Sequence, residues 1–116
     1  MKPDEANEML ELFESQVNRL QEIHFLILLW ATQSEGKSLK YNITNVFDDL
    51  KLAGITRTKQ TAVAAVAVLQ SLCLIDLKDE HNRKNIYITK HGGKALRMIL
   101  DHETYKLKPS AYLEDK

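Results

Sequence analysis

A chain of 116 residues with one cysteine, two prolines and four glycines has few covalent staples and few built-in breaks. Cys73 has no partner for an internal disulfide, so the fold must stand on an apolar core, and a reducing cytoplasm is the expected compartment. No charged-then-apolar leader opens the chain, which points the same way. The longest apolar run, residues 25–31, is far short of the roughly 20 residues a membrane span needs, so no membrane association is expected. Catalytic and cofactor patterns are missing as well. There is no Ser-His-Asp spacing, no paired-carboxylate motif and no phosphate-cradling glycine loop, and Gly92-Gly93 is too short to form one. His24, His81, His91 and His102 lack the close spacing of a zinc site, and Cys73 has no ligand near it. No enzyme, no cofactor and no metal site is expected.

What is present is a separation of charge that the net value hides. The formal charge is zero. Up to His24, six acids against Lys2 and Arg19 give −4, whereas from Lys51 to Arg97 nine bases against Asp76, Asp79 and Glu80 give +6. Position rather than the sum indicates where an anionic partner would bind.

A length of this order predicts a single domain over residues 1–116. Residues 4–33 contain no Gly or Pro, and Leu10, Phe13, Val17, Leu20, His24 and Ile27 recur at spacings of three and four, the stripe of one long helix or two abutting ones. Ser34-Glu35-Gly36 supplies the stop, and residues 23–31 are apolar nearly all round, which predicts burial; Phe25 and Trp30 are read as core. Residues 39–41 read as a short strand. Asn42 or Thr44 then caps a helix through Val46, Phe47, Leu50 and Leu52, ended by Gly54. Thr56 or Thr58 caps the next helix, which places Ala62, Val66 and Leu69 toward the core. Residues 74–77 and 85–88 have strand composition around the polar run 79–84, a hairpin. Thr89 is placed to cap a last helix carrying Ala95, Met98, Ile99 and His102 and running to about residue 106, with a loose tail over 107–116. The expected class is mainly α with a small β-hairpin, that is α+β.

From about residue 39 to 100 this pattern resembles the winged helix-turn-helix transcription factors of prokaryotes, in particular the multiple-antibiotic-resistance-regulator (MarR-type) and PadR-type families. The carriers are the turn Gly54-Ile55-Thr56, the helix exit Leu69-x-x-Leu72-x-Leu74-Ile75, the basic pair Arg83-Lys84 in the hairpin, and the entry Ile88-Thr89-x-x-Gly92. The resemblance implies a helix entering a DNA groove by its N-terminal end, here Thr56, Arg57, Thr58, Lys59, Gln60 and Thr61. It also implies a wing supplying Arg83 and Lys84, with His81 and Asn82 as weaker contacts. Arg57 and Lys59 suit phosphate or guanine, and Gln60 suits adenine.

The chain departs from that pattern in three places. Residues 62–69 are apolar around the whole circumference, so either only the first helical turn meets DNA, or Val63, Ala64, Ala67 and Val68 pack against another helix or subunit. The interval from Gly54 to the helix body is about two residues longer than usual. Cys73 stands where the resemblance favours glycine, and its apolar neighbours predict a buried thiol and a different helix exit.

The stripe Leu10, Phe13, Val17 and Leu20 is more than so small a domain is expected to cover, which predicts a homodimer with Met98 and His102 as the second contributors. The expected function is sequence-specific binding of double-stranded DNA by a dimeric transcriptional regulator, most simply a repressor. The alternative is a winged-helix module for protein association. Nothing in the sequence marks a small-molecule effector.

Overall fold

The computed structural model describes residues 3–101. They form α1 (Pro3–Asn18), α2 (Glu22–Gly36), α3 (Ile43–Leu52), α4 (Lys59–Ser71), a two-stranded antiparallel sheet of β1 (Ile75–Glu80) and β2 (Arg83–Ile88), and α5 (Lys90–Asp101). This is the mainly helical α+β composition that the periodicity predicts. The expected continuation of the last helix to about residue 106, with His102, and the expected loose tail over 107–116 fall outside the described residues. Among the described residues no helix is long and apolar enough to cross a membrane.

The N-terminal stripe divides into two helices. Leu20 turns into the core and Gln21 adopts an extended conformation (φ −98°, ψ 173°). His24 Nδ1 accepts a hydrogen bond from the Gln21 amide at 3.0 Å. His24 is therefore a half-buried capping group. Burial holds its pKa below the ordinary histidine value, consistent with an imidazole that must keep a lone pair for the amide. In α2, residues 25–31 are all buried, against α4, β2 and α5.

Three helices end by one device. After α2, α3 and α4 the residues Ser38 (φ 57°), Gly54 (φ 76°) and Cys73 (φ 61°) take the left-handed conformation. Leu39, Ile55 and Leu74 then donate back to Ser34, Leu50 and Leu69 at 2.8, 2.9 and 3.0 Å. This double turn satisfies the last carbonyls and folds an apolar residue onto the helix. Helix α2 thus ends at Gly36, within the Ser34-Glu35-Gly36 stop expected from sequence, and the left-handed residue that closes it is Ser38. Cys73 keeps the glycine geometry, at a cost of about 1 kcal/mol for a residue with a Cβ. Its thiol is exposed, which corrects the expectation of burial: left-handed backbone aims the side chain away from the neighbouring Leu74, which is buried.

Asn42 caps α3 in a reciprocal pair with Asn45, at 2.9 and 3.0 Å. The short strand expected before it is reduced to a single bridge between Asn42 and Asn85, with the Tyr41 carbonyl accepting from the Ile86 amide at 2.7 Å. The buried Tyr41 hydroxyl donates to the equally buried Asp49 carboxylate at 2.6 Å, bracing α3 from within.

A two-residue reversal at His81-Asn82, both with positive φ (52° and 64°), is the hairpin turn whose twist matches that of the strands. The hairpin is consequently tighter than the six-residue polar tip expected from sequence. Pairing runs from Ile75 opposite Ile88 to Glu80 opposite Arg83. At its base, Thr89 Oγ1 accepts from the Gly92 amide at 3.0 Å and donates to the Cys73 carbonyl at 2.6 Å. Gly92 lies so close to β1 that a Cβ on it would stand 2.0 Å from the Leu74 carbonyl oxygen.

The core also reaches α1. Val17 and Leu20 are buried within the chain, and Phe13 is half-buried beside the His91 ring at 5.8 Å. This corrects the expectation that the whole stripe needs an external partner: α5 lies near enough to α1 to cover its second half. Leu10 remains exposed and Met98 is half-buried.

Two outcomes follow for stability. Gly92→Ala should destabilise by about 1–3 kcal/mol, since the clash is with backbone, whereas Gly93→Ala, with nothing within 4 Å of its Cβ, should be neutral or gain up to about 1 kcal/mol in helix propensity; urea denaturation compares them. Because the folded-state pKa of His24 is depressed, its stabilising contribution is present above about pH 6.5, the unfolded value, and is lost as pH falls through the folded value. Melting temperatures between pH 7.5 and 5 should therefore fall, and His24→Gln should reduce that slope.

Candidate nucleic-acid interface

The turn between α3 and α4 is built by side chains on backbone. Ile55 is half-buried after the Gly54 reversal, and the Thr56 hydroxyl accepts from the Thr58 amide at 3.1 Å. Thr58, in extended conformation, is the N-cap of α4: its hydroxyl accepts from the Thr61 amide at 3.4 Å and pairs with the Thr61 hydroxyl at 2.8 Å. Three of the six candidates at this end, Thr56, Thr58 and Thr61, thus commit their hydroxyls to the turn. Arg57, Lys59 and Gln60 are exposed, and no hydrogen bond or ion pair ties their side chains among the described residues. They stand at the positive end of the α4 dipole, where an anion is favoured.

The other candidate group is at the hairpin. His81, Asn82, Arg83 and Lys84 are all exposed. His81 and Asn82 form the turn, whereas Arg83 and Lys84 are the first residues of β2. Alternation along a strand sends those two bases to opposite faces. Each is also in register with an acid, Arg83 with Glu80 and Lys84 with Asp79. Arg83 and Lys84 therefore lie in the hairpin, as expected, on its two opposite faces.

A cluster on one face of the hairpin was invisible in the sequence. The Tyr87 hydroxyl accepts from Lys40 Nζ at 2.8 Å and donates to Glu80 in a short hydrogen bond. Glu80 also accepts from Asn85 at 2.9 Å and stands 3.8 Å from Lys40. The Lys40 and Lys78 ammonium groups lie 5.3 and 4.8 Å from the Tyr87 ring centroid. Tyr87, and then Asn85, hold the Glu80 carboxyl below the usual range, and Tyr87 with Glu80 raises Lys40. The spacing of Lys78 and Glu80 shows that they share a face, but pairing them with Tyr87 requires the register, and Lys40 is 47 residues away from Tyr87. These contacts stiffen the hairpin against the domain, and they engage Lys40 and Lys78, which would otherwise be available to phosphate.

The body of α4 has two unlike sides. Ala62, Ala65, Val66 and Leu69 are buried. Val63 and Val68 are 44% and 41% exposed, and Ala64 and Ala67 are exposed beside them. Lys59, Gln60, Val63, Ala64 and Ala67 line a shallow depression on this outward side. From residue 62 to 69 every side chain is apolar, so no donor or acceptor is available there for a base edge. Among the described residues no group of histidine, cysteine and carboxylate side chains is placed to hold a metal ion.

Compared with protein-family models, with curated proteins and with solved structures, the chain matches none of them.

Tyr87→Phe should release both partners of the hydroxyl: in an NMR titration the Glu80 carboxyl should move up toward its ordinary pKa, and amide exchange at the hairpin should quicken. An unchanged Glu80 titration would show that Tyr87 does not hold the carboxylate.

Proposed function

We propose that the chain is a winged helix-turn-helix protein that binds double-stranded DNA as a cytoplasmic, dimeric transcriptional regulator, most simply a repressor. The order α3, turn, α4, hairpin, α5 supports the winged-helix reading, with the bridge at Asn42 as the remnant of a third strand. One observation carries the functional part: Arg57, Lys59 and Gln60 are exposed and uncommitted at the N-terminal end of α4, which is the end such proteins put into a groove. Base reading is confined to that first turn. The hairpin contributes through Arg83 on one face and Lys84 on the other, and most of the affinity is to phosphate. Leu10 on α1 and Met98 on α5 belong to the surface through which two copies would place two heads on a palindromic site.

A second reading has its own observation. The exposed apolar side of α4 is suited to protein and unsuited to base edges, which supports a winged-helix module for protein association.

Fluorescence anisotropy with a labelled duplex at 50 and 200 mM salt separates the two. The DNA reading expects micromolar or tighter binding at low salt that weakens steeply as salt rises. Replacing Arg57 and Lys59 together by Ala should weaken binding across all sequences and lower the salt slope by about 1 for each phosphate these side chains neutralise. Absence of salt-sensitive binding at micromolar protein overturns the DNA reading and leaves the association reading.

A further inference from the structure

Two exposed helical faces of this chain are complementary in charge and in apolar content. Residues 3–18, the whole of α1, contain no Lys or Arg, and residues 53–75, which include all of α4, contain no Asp or Glu. On α1 the residues Glu5, Glu8, Met9 and Leu12 recur at helical spacing and share one side. That side is distinct from the side of Phe13 and Val17 that packs into the domain. Met9 is 58% and Leu12 61% exposed, so this side offers apolar surface next to two carboxylates. On α4 the matching side is Lys59, Val63, Ala64 and Ala67. Its two alanines give a helix room to approach closely.

We infer that the outward side of α4 receives the outward side of α1 from a second copy of this chain, reciprocally, so that a two-fold dimer contains two such contacts. The inference rests on the association reading of α4 and names its partner. Charge selects the orientation. With the two helices parallel and Glu5 level with Lys59, Met9 is level with Val63 and Leu12 falls within one residue of Ala67, so the acidic start of α1 lies at the positive end of the α4 dipole, where Arg57 and Lys59 stand. The antiparallel arrangement carries the carboxylates to the negative end of α4, where no base awaits them. The contact covers Lys59, so duplex DNA and the second copy compete for the first turn of α4.

Sedimentation velocity on the full chain between 1 and 100 µM, concentrations chosen to bracket a weak-to-moderate dimer, tests this with exposed substitutions whose folding is checked by circular dichroism. The expected result is a dimer that Val63→Asp and Leu12→Asp each weaken by about tenfold or more. A charge exchange gives the sharper result. The variant with Glu5→Lys and Glu8→Lys should be monomeric, as should the variant with Arg57→Glu and Lys59→Glu, yet an equimolar mixture should dimerise, because both reciprocal contacts then pair opposite charges. If Val63→Asp dissociates the dimer while every α1 variant leaves it intact, α4 packs on something other than α1: the inference is overturned and the association reading stands. A dimer indifferent to Val63→Asp forms through another surface: it overturns the inference and leaves the association reading of α4 to a partner of different sequence. A chain monomeric at 100 µM overturns the inference and leaves the association reading to a partner of different sequence. Loss of the dimer on adding duplex DNA supports the competition, and a dimer that binds DNA without dissociating overturns the arrangement in which Lys59 is covered.

Discussion

Seven consecutive residues of α2, 25 to 31, are out of water, and the other elements are arranged to keep them so. Successive residues of a helix point 100° apart, so seven of them cover the whole circumference, and one neighbouring element cannot shelter them all. The chain provides several: α4, the second strand and α5 each lie against α2, and Val17 and Leu20 are buried in the same core cluster. Each large side chain buried in this way contributes on the order of 1.5–3 kcal/mol, which makes the encirclement of α2 the main source of stability. Its far end is fastened by polar contacts. Ser34 donates to the Trp30 carbonyl at 3.0 Å, and Glu35 accepts from the Ile88 amide at 2.9 Å, closing the outer edge of β2.

The encirclement places the elements, and a small joint sets their directions. Around Thr89 the end of α4, the start of β1, the end of β2 and the start of α5 come within hydrogen-bond reach of one another. The left-handed turn at Cys73 delivers Leu74 to the core and its own carbonyl to Thr89. The missing side chain of Gly92 lets α5 begin against the backbone of β1. From this joint the hairpin projects as a stiff arm, further braced by Tyr87 between Lys40 and Glu80. The candidate surface therefore owes its shape to contacts that do not belong to it.

Within that surface, the two ends of α4 have different chemistry. Its first turn carries cationic and amide groups at the positive end of the dipole, and its body offers methyl groups to water. In the proposed readings, DNA and a second copy of the chain would meet this helix at overlapping positions, because both reach Lys59. The acidic α1 and the acid-free α4 make a second copy a chemically matched occupant, because the separation of charge along the chain becomes a separation between surfaces.

Much of the architecture was legible in the residues one by one. Asn42 or Thr44, Thr56 or Thr58, and Thr89 marked three helix starts, because a short polar side chain before an apolar run serves as a cap, and Gly54 marked an end; the structure chose Asn42 and Thr58. The α+β class followed from periodicity. What was not legible depended on partners distant in sequence. The two-residue turn at His81-Asn82 set a register that parted Arg83 from Lys84 and brought Tyr87 onto the face of Lys78 and Glu80, and neither residue type nor spacing specifies a register until the turn is known. The clearest contrast is between α2 and α4. Both read as apolar all round, and the sequence alone determined that each would be a helix with something to bury. Only the tertiary structure decided that α2 would be covered on every side and α4 on one. An apolar circumference carries no preferred direction, and burial goes to whichever side finds neighbours in a chain with too few elements to surround two helices.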